Sequence, residues 1–322
     1  MRILIVKTSS LGDVVHMLPA ITDAVRIFSD LVVDWVVEES FQSVPAWHSS
    51  VNKVIPVAIR RWRKNLFSSN TRSEIAMAKN DIQAVNYDLI IDAQGLIKSS
   101  ILTRLSKGKR AGYNFRSARE PLASWAYDQQ ISVSKDLHAI ERNRQLTALS
   151  FGYSLEYLPL DYGLENLINE FSSRSKIDID LPENYIVGLH GTSRPDKEWP
   201  EENWIQLSQK LADQKATLVL PWGDQREHDR AERIREKGNA FVLPKLDLDC
   251  LAEIICRAKA VVGMDTGLMH IAAALGKSGV AIYPVTKPEL TGVISGTGHQ
   301  SIINLEGLVS VDTVFDRLDF SN

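Results

Sequence analysis

Short runs of aliphatic and β-branched residues recur along the chain. Each ends in a small polar loop and is followed by a longer stretch whose apolar positions return every three or four residues. Strands buried on both faces read as near-continuous apolar runs, and parallel neighbours must be joined by crossover helices. The pattern therefore predicts an α/β fold. In the first half it places strands at 3–7, 32–37, 53–57, 89–92 and 110–113. The second half repeats the scheme, with strands at 185–190, 217–221, 240–243, 260–263 and 280–283 and helices near 200–212, 225–236, 248–257 and 267–275. The repeat is architectural, not one of sequence. Two Rossmann-like doubly wound domains follow, over residues 1–165 and 166–322, with 161–184 as a linker around one helix. The tail, about 309–318, has helical spacing and offers a helix to pack back on the first domain.

A chain of 322 residues is long enough for two cores, and 18 Gly and 12 Pro are ordinary usage, which excludes collagenous and disordered classes. Two cysteines, Cys250 and Cys256, give no disulfide framework and no zinc cluster. The apolar start at residues 1–7 is too short for a signal peptide, and no run of about 18 apolar residues is present to span a bilayer. The expectation is a cytoplasmic protein, with association at a membrane surface left open. A net charge of −3 argues against a nucleic-acid partner. The charge is uneven, however: residues 60–144 carry 16 Lys and Arg against 8 Asp and Glu, so the rest of the chain is strongly acidic.

Ligands of open α/β sheets sit at the carboxyl ends of the strands, so the strand exits are where chemistry is sought. The first exit, Lys7-Thr-Ser-Ser-Leu-Gly-Asp-Val-Val-His16, lacks both the G-x-G-x-x-G and the Walker pattern. Asp13 there is either a helix cap or a general base. Arg60, Arg61, Arg63 and Lys64, with Lys98, Arg119, Arg142 and Arg144, are either a solvated stripe or a binding surface for a highly anionic partner. In the second half, Thr192 and Ser193 offer hydroxyls and Lys197 a cation. Backbone N–H groups at Thr266, Gly267 and Leu268 open a helix whose positive end suits a phosphate, with Asp265 as a competing structural cap. Trp222, Glu227 and Leu246 stand at positions that either contact a base or ribose or merely pack. The pairs Asp178/Asp180 and Asp247/Asp249 are badly placed for a metal-diphosphate motif, so no metal and no cofactor are expected.

Taken in order, the 7–16 loop, Arg60 to Lys64, Asp92-Ala-Gln-Gly95, Asp196-Lys197 with Trp199-Pro200, and Asp265-Thr-Gly267 with His270 resemble the lipopolysaccharide heptosyltransferases, nearly end to end. Arg60 to Lys64 favour the heptosyltransferase I branch over heptosyltransferase II. The resemblance implies a GT-B glycosyltransferase with the acceptor on the first domain and the nucleotide sugar on the second. It implies metal-independent, inverting transfer of L-glycero-D-manno-heptose from ADP-heptose to the first Kdo of Kdo2-lipid A. It also implies peripheral contact with the cytoplasmic face of the inner membrane. Asp13 matches the catalytic base and Lys197 the lysine at the diphosphate. Thr192, Ser193, Glu227, Leu246, Asp265, Thr266, Gly267 and His270 match donor-binding positions, and the eight basic residues above are the acceptor candidates. Residues 283–288 depart from the family pattern, with Pro284 where glycine is usual and Lys287 where an acid is, and Ser193 and Leu246 are also substitutions within it. Other readings of the same residues are a related GT-B transferase with another donor or acceptor and a non-catalytic nucleotide- or lipid-binding protein. A nicotinamide oxidoreductase is disfavoured by the missing glycine fingerprint.

Overall fold

A computed structural model describes residues 1–174, 179–192, 194–299 and 301–318. The chain divides into two compact units, Met1–Gly163 and Leu164–Asn322. The first is built on β1 (Arg2–Val6), β2 (Val32–Glu38), β3 (Val51–Val57), β4 (Asn86–Asp92), β5 (Lys107–Tyr113) and β6 (Gln129–Ile131). These run parallel in the order β3-β2-β1-β4-β5-β6. The second unit carries β7 (Tyr185–Leu189), β8 (Thr217–Leu220), β9 (Ala240–Val242), β10 (Ala260–Met264), β11 (Gly279–Tyr283) and β12 (Ile302–Glu306). They are again parallel, in the equivalent order β12-β11-β10-β7-β8-β9. The connections diverge between β1 and β4 in one sheet and between β7 and β10 in the other, and a doubly wound sheet opens a ligand crevice at that point.

The apolar runs became strands because both of their faces are covered. Leu4, Val6, Val36, Ile55 and Ile90 pack against Trp62, Ala78 and Ile82 in the first unit, all buried. In the second, Ile186, Leu218, Val262 and Ile282 meet Trp204, Leu207, Leu211 and Ile234. Each Val, Leu or Ile among them contributes about 1.5–3 kcal/mol on burial. Two strands that the pattern did not predict, β6 and β12, are outermost in their sheets. An edge strand buries less, and the sequences QQI and IINLE reflect that.

The tail does not follow its expectation. Val311, Val314 and Leu318 belong to the core of the second unit, and the Trp199 indole N–H donates to the carbonyl of Val309 at 2.9 Å. The helix Val311–Phe315 is amphipathic, and its apolar face is covered by the helix Glu201–Asp213, where Lys210 also pairs with Asp312 at 2.8 Å. Of the two D-x-D pairs, Asp178 lies outside the described residues, while Asp247 caps the helix Leu248–Arg257 by accepting from the Cys250 N–H.

Candidate active site

In the first unit the loops that leave β1 and β4 are stitched together at the switch point. The Thr8 and Ser9 N–H groups donate to Gln94 Oε1 at 3.0 and 3.1 Å, and Lys98 Nζ donates to Ser9 Oγ at 3.2 Å. Asp92 fastens the β4 exit. Its Oδ1 accepts from the N–H groups of Gln94 and Gly95 and its Oδ2 from the Tyr127 hydroxyl at 2.8 Å. Gly95, at φ +65°, makes the tight turn, a conformation other residues rarely take.

Asp13 stands in the helix Leu11–Val15, and Ser10, not Asp13, is the N-cap. Asp13 Oδ2 accepts from the Ser10 N–H at 2.9 Å and its hydroxyl at 3.0 Å, and the Arg119 guanidinium lies 3.7 Å away. Burial pushes the carboxyl up, but Lys7, the Ser10 hydrogen bonds and Arg119 together outweigh it and hold Asp13 below its ordinary value. Lys7 is itself buried, its ammonium on the carbonyl of Ala93 at 2.8 Å, and burial lowers its pKa. The result is an ionised carboxylate among cations, with 22% of its side-chain surface still open.

The basic candidates fall into three groups. Lys98 and Arg119 adjoin the Asp13 loop as just described, and Arg142 lies over the Tyr113 ring at 4.8 Å with its Nη2 on the carbonyl of Ser117. Arg60, Arg61, Arg63 and Lys64 leave β3, and all four are exposed. Arg61 is held by Glu39 at 2.9 Å and Glu74 at 2.9 Å, while the Arg60 guanidinium sits 5.6 Å from the centre of the Phe41 ring. Arg144 is a correction. It is buried, bonded to Asp23 at 2.7 Å and to the carbonyl of Leu158 at 2.8 Å, so its guanidinium ties two helices together and is not presented to a ligand.

In the second unit, Lys197 Nζ is 2.7 Å from Asp265 Oδ2, although 68 residues separate them. The same oxygen accepts from Thr286 Oγ1 at 3.0 Å. The loop 283–288 stood out in the sequence only as a departure from a pattern, so Thr286 was missed. The neighbouring exits of β10 and β11 were the signal that could have found it. Thr266 caps the helix Gly267–Ala274 in an extended conformation, which leaves the first backbone N–H groups of that helix aimed at the crevice. His270 is buried one turn further in.

Beside this helix start lies an open cleft walled by Leu189, Gly191, Trp222, Glu227, Leu251 and Thr266, among others. Glu227 folds against the backbone, accepting from the Gly223 N–H at 2.7 Å. A Cβ on Gly191 would come within 2.3 Å of Glu227 Oε1, so only glycine allows that fit. The Trp222 indole N–H donates to the carbonyl of Leu243, and its ring makes a T-shaped contact with His228 at 4.5 Å between centroids. Thr192 is buried with no hydrogen-bond partner for its hydroxyl among the described residues. Leu246 is half-buried in the turn before the helix Leu248–Arg257, and the apolar wall of the cleft on that side is Leu251. Ser193 lies outside the described residues.

Comparison with known proteins gives this geometry a context. Residues 75–310 match Glycosyltransferase family 9 (heptosyltransferase). The chain is 46% identical over 306 residues to lipopolysaccharide heptosyltransferase 1 of Escherichia coli (strain K12), covering 94% of this chain and 93% of that one. Its fold is similar to the structure of the E. coli heptosyltransferase WaaC with ADP, at a TM-score of 0.90 and 43% identity, over 98% of each chain. The same enzyme with ADP-2-deoxy-2-fluoro heptose superposes at 0.86, with 42% identity and 98% coverage of each chain. With two doubly wound parallel sheets and this family match, the chain is a glycosyltransferase of GT-B fold and belongs to glycosyltransferase family 9, the heptosyltransferases.

Proposed function

We propose that this enzyme moves L-glycero-D-manno-heptose from ADP-heptose to the first Kdo of Kdo2-lipid A, with inversion and without a metal ion, at the cytoplasmic face of the inner membrane. The observation that carries the reading is Asp13, an ionised carboxylate held by Lys7 and Arg119 at the β1 exit, with Lys98 on Ser9 of the same loop. A base must be ionised at neutral pH to take a hydroxyl proton, and a carboxylate-bearing, phosphorylated acceptor needs cations beside that base.

In the step itself, the acceptor hydroxyl oxygen bonds to the anomeric carbon as the bond from that carbon to the diphosphate oxygen breaks. The hydroxyl proton passes to Asp13, and a single displacement inverts the anomeric centre. Charge building on departing ADP is met by Lys197 and by the N–H groups at Thr266 and Gly267, which supply what a divalent cation would otherwise bring. Asp265, freed from Lys197 as the diphosphate takes that lysine, is positioned for heptose hydroxyls. Thr192, Glu227 and His270 complete the donor side, with adenosine in the cleft beside Trp222. That structures of a 43%-identical enzyme contain ADP and a fluoro-heptose analogue supports this donor. On the acceptor side the reading assigns Lys98, Arg119 and Arg142 near the base and Arg60, Arg63 and Lys64 further out, with Arg61 occupied by its two glutamates.

The test is ADP release by the purified chain given ADP-heptose and Kdo2-lipid A, with and without chelator, beside Asp13→Asn. Turnover should need both substrates and ignore the chelator. The variant should lose roughly 10²- to 10⁴-fold in kcat while still binding ADP-heptose. A variant as active as the parent would remove Asp13 from its role. Tight donor binding without turnover in the parent would return the chain to a binding role or another acceptor.

A further inference from the structure

Outside the crevices, the strongest unexplained feature is an exposed apolar face on the first unit. Ile97 and Ile101 sit one turn apart on the outer side of the helix Ile97–Leu105, and Ile101 is 57% exposed. Leu122 and Trp125 are three apart in the 3-10 turn Pro121–Ala126, a spacing that puts both on one side, and Trp125 is 71% exposed. The two elements pack on each other, and the Ile97 N–H donates to Glu120 Oε2 at 2.6 Å, so the two pairs form one surface. Single exposed apolar residues are ordinary, whereas a contiguous group rimmed by charge marks an interaction site.

The segment that carries this face is basic. Residues 97–126 hold seven Lys and Arg, of which Arg110 is paired with Asp128, against one acid, Glu120, which is engaged by the backbone of Ile97. Arg104, three residues after Ile101 on the same helix, and Arg119, two residues before the turn, are exposed. Tryptophan and aliphatic side chains that enter the headgroup boundary, bordered by arginines that meet anionic headgroups, are the composition of an interfacial membrane contact. The face also runs into the candidate site. Lys98 on the same helix reaches Ser9, and Arg119, just before the turn, lies 3.7 Å from Asp13.

We infer that this face, built from Ile97, Ile101, Leu122 and Trp125, docks on an anionic lipid bilayer and holds the enzyme at the membrane independently of its acceptor. The inference deepens the proposed function, because it rests on an acceptor whose sugar projects from a lipid surface toward Asp13. A bilayer seated here puts the headgroup layer beside the β1 exit, so the enzyme searches for its acceptor along a surface.

The experiment is flotation of the full chain with vesicles of phosphatidylcholine alone or with phosphatidylglycerol, none containing acceptor. Binding should require the anionic lipid and weaken with salt. The double variant Leu122→Ala/Trp125→Ala should bind roughly tenfold or more weakly at an unchanged melting temperature, while Trp125→Tyr keeps most of the binding. Failure of the parent to float with anionic vesicles, or equal flotation of the double variant, overturns the inference. So does a lipid-independent dimer that the double variant disperses, which would assign the face to a second copy. Heptose transfer to a deacylated, water-soluble acceptor is measured in parallel and should be the same in parent and double variant. If the parent transfers nothing to it, the proposed reaction fails, while flotation still reports on the face.

Discussion

Lys7 is an ammonium buried beneath the loop that carries the proposed base, and its charge is the largest of the effects that pull Asp13 below its ordinary value. Removing that charge while keeping the volume tests the arrangement. With Lys7→Met, Asp13 takes up its proton at a higher pH than in the parent. Since only the carboxylate accepts the acceptor's proton, the acid limb of kcat/KM moves toward neutral pH, from a parental position below the ordinary aspartate value of about 3.9. An unmoved limb would show that Lys7 does not set the charge state of Asp13. Two residues in one helix show how finely position decides role. Arg142 and Arg144 are a little over half a helical turn apart, so one lies along Tyr113 and reaches the carbonyl of Ser117 while the other is drawn in to Asp23.

At the level of elements, the donor crevice depends on close approaches that only small residues permit. A Cβ on Gly263 would stand 2.5 Å from Met269 Sδ and 2.8 Å from Leu189 Cβ, so this glycine lets the helix Gly267–Ala274 settle against β7 and β10 with its N-terminus at the crevice. Gly191 plays the corresponding part for Glu227. Its substitution is the gentler probe, because the atoms a new methyl would meet belong to the end of a flexible side chain. Gly191→Ala is expected to displace the Glu227 carboxylate and raise KM for ADP-heptose, with kcat and melting temperature close to the parent. Steady-state kinetics checks this, and an unchanged KM would separate Glu227 from donor binding.

Across the whole molecule, each unit buries a histidine that must stay neutral. His48 accepts the Ser50 N–H on Nδ1 and so presents its Nε2 proton to Thr22 Oγ1, and burial brings its pKa down to about 4. His190, bonded to the carbonyl of Pro221, is brought down by burial to about 3. In the unfolded chain both return to about 6.5. Above that pH neither state binds the protons and stability is full. As pH falls from about 6.5 toward 4 and then 3, the unfolded state gains protons that the native state refuses, and stability drops by up to roughly 1.4 kcal/mol per pH unit for each histidine. Urea midpoints at about pH 7 and about pH 5 should therefore differ, with the lower value at the lower pH and a smaller difference in His48→Asn, because ordinary carboxylates with pKa values near 4 contribute little in that window. Equal midpoints would rule the histidines out as acid-labile points.

The amino-acid sequence by itself determined the two parallel sheets, because strands covered on both faces must be apolar throughout and the crossover helices must be amphipathic. It also determined which loops are strand exits, and with them Asp13, Lys197 and the start of the helix at Gly267. It did not reveal β6 and β12, whose edge positions demand little apolarity, nor the seat of the tail helix, whose apolar face would suit any core. Only the tertiary structure decided which charges meet: Lys197 with Asp265 and Thr286, Arg119 with Asp13, Lys98 with Ser9, and Arg144 with Asp23. Periodicity records burial, which each residue reports from its own position. The pairing of Lys197 with Asp265 across 68 residues is set by the strand order that brings distant exits side by side, and that of Arg144 with Asp23 across 121 residues by the packing of the two helices that carry them.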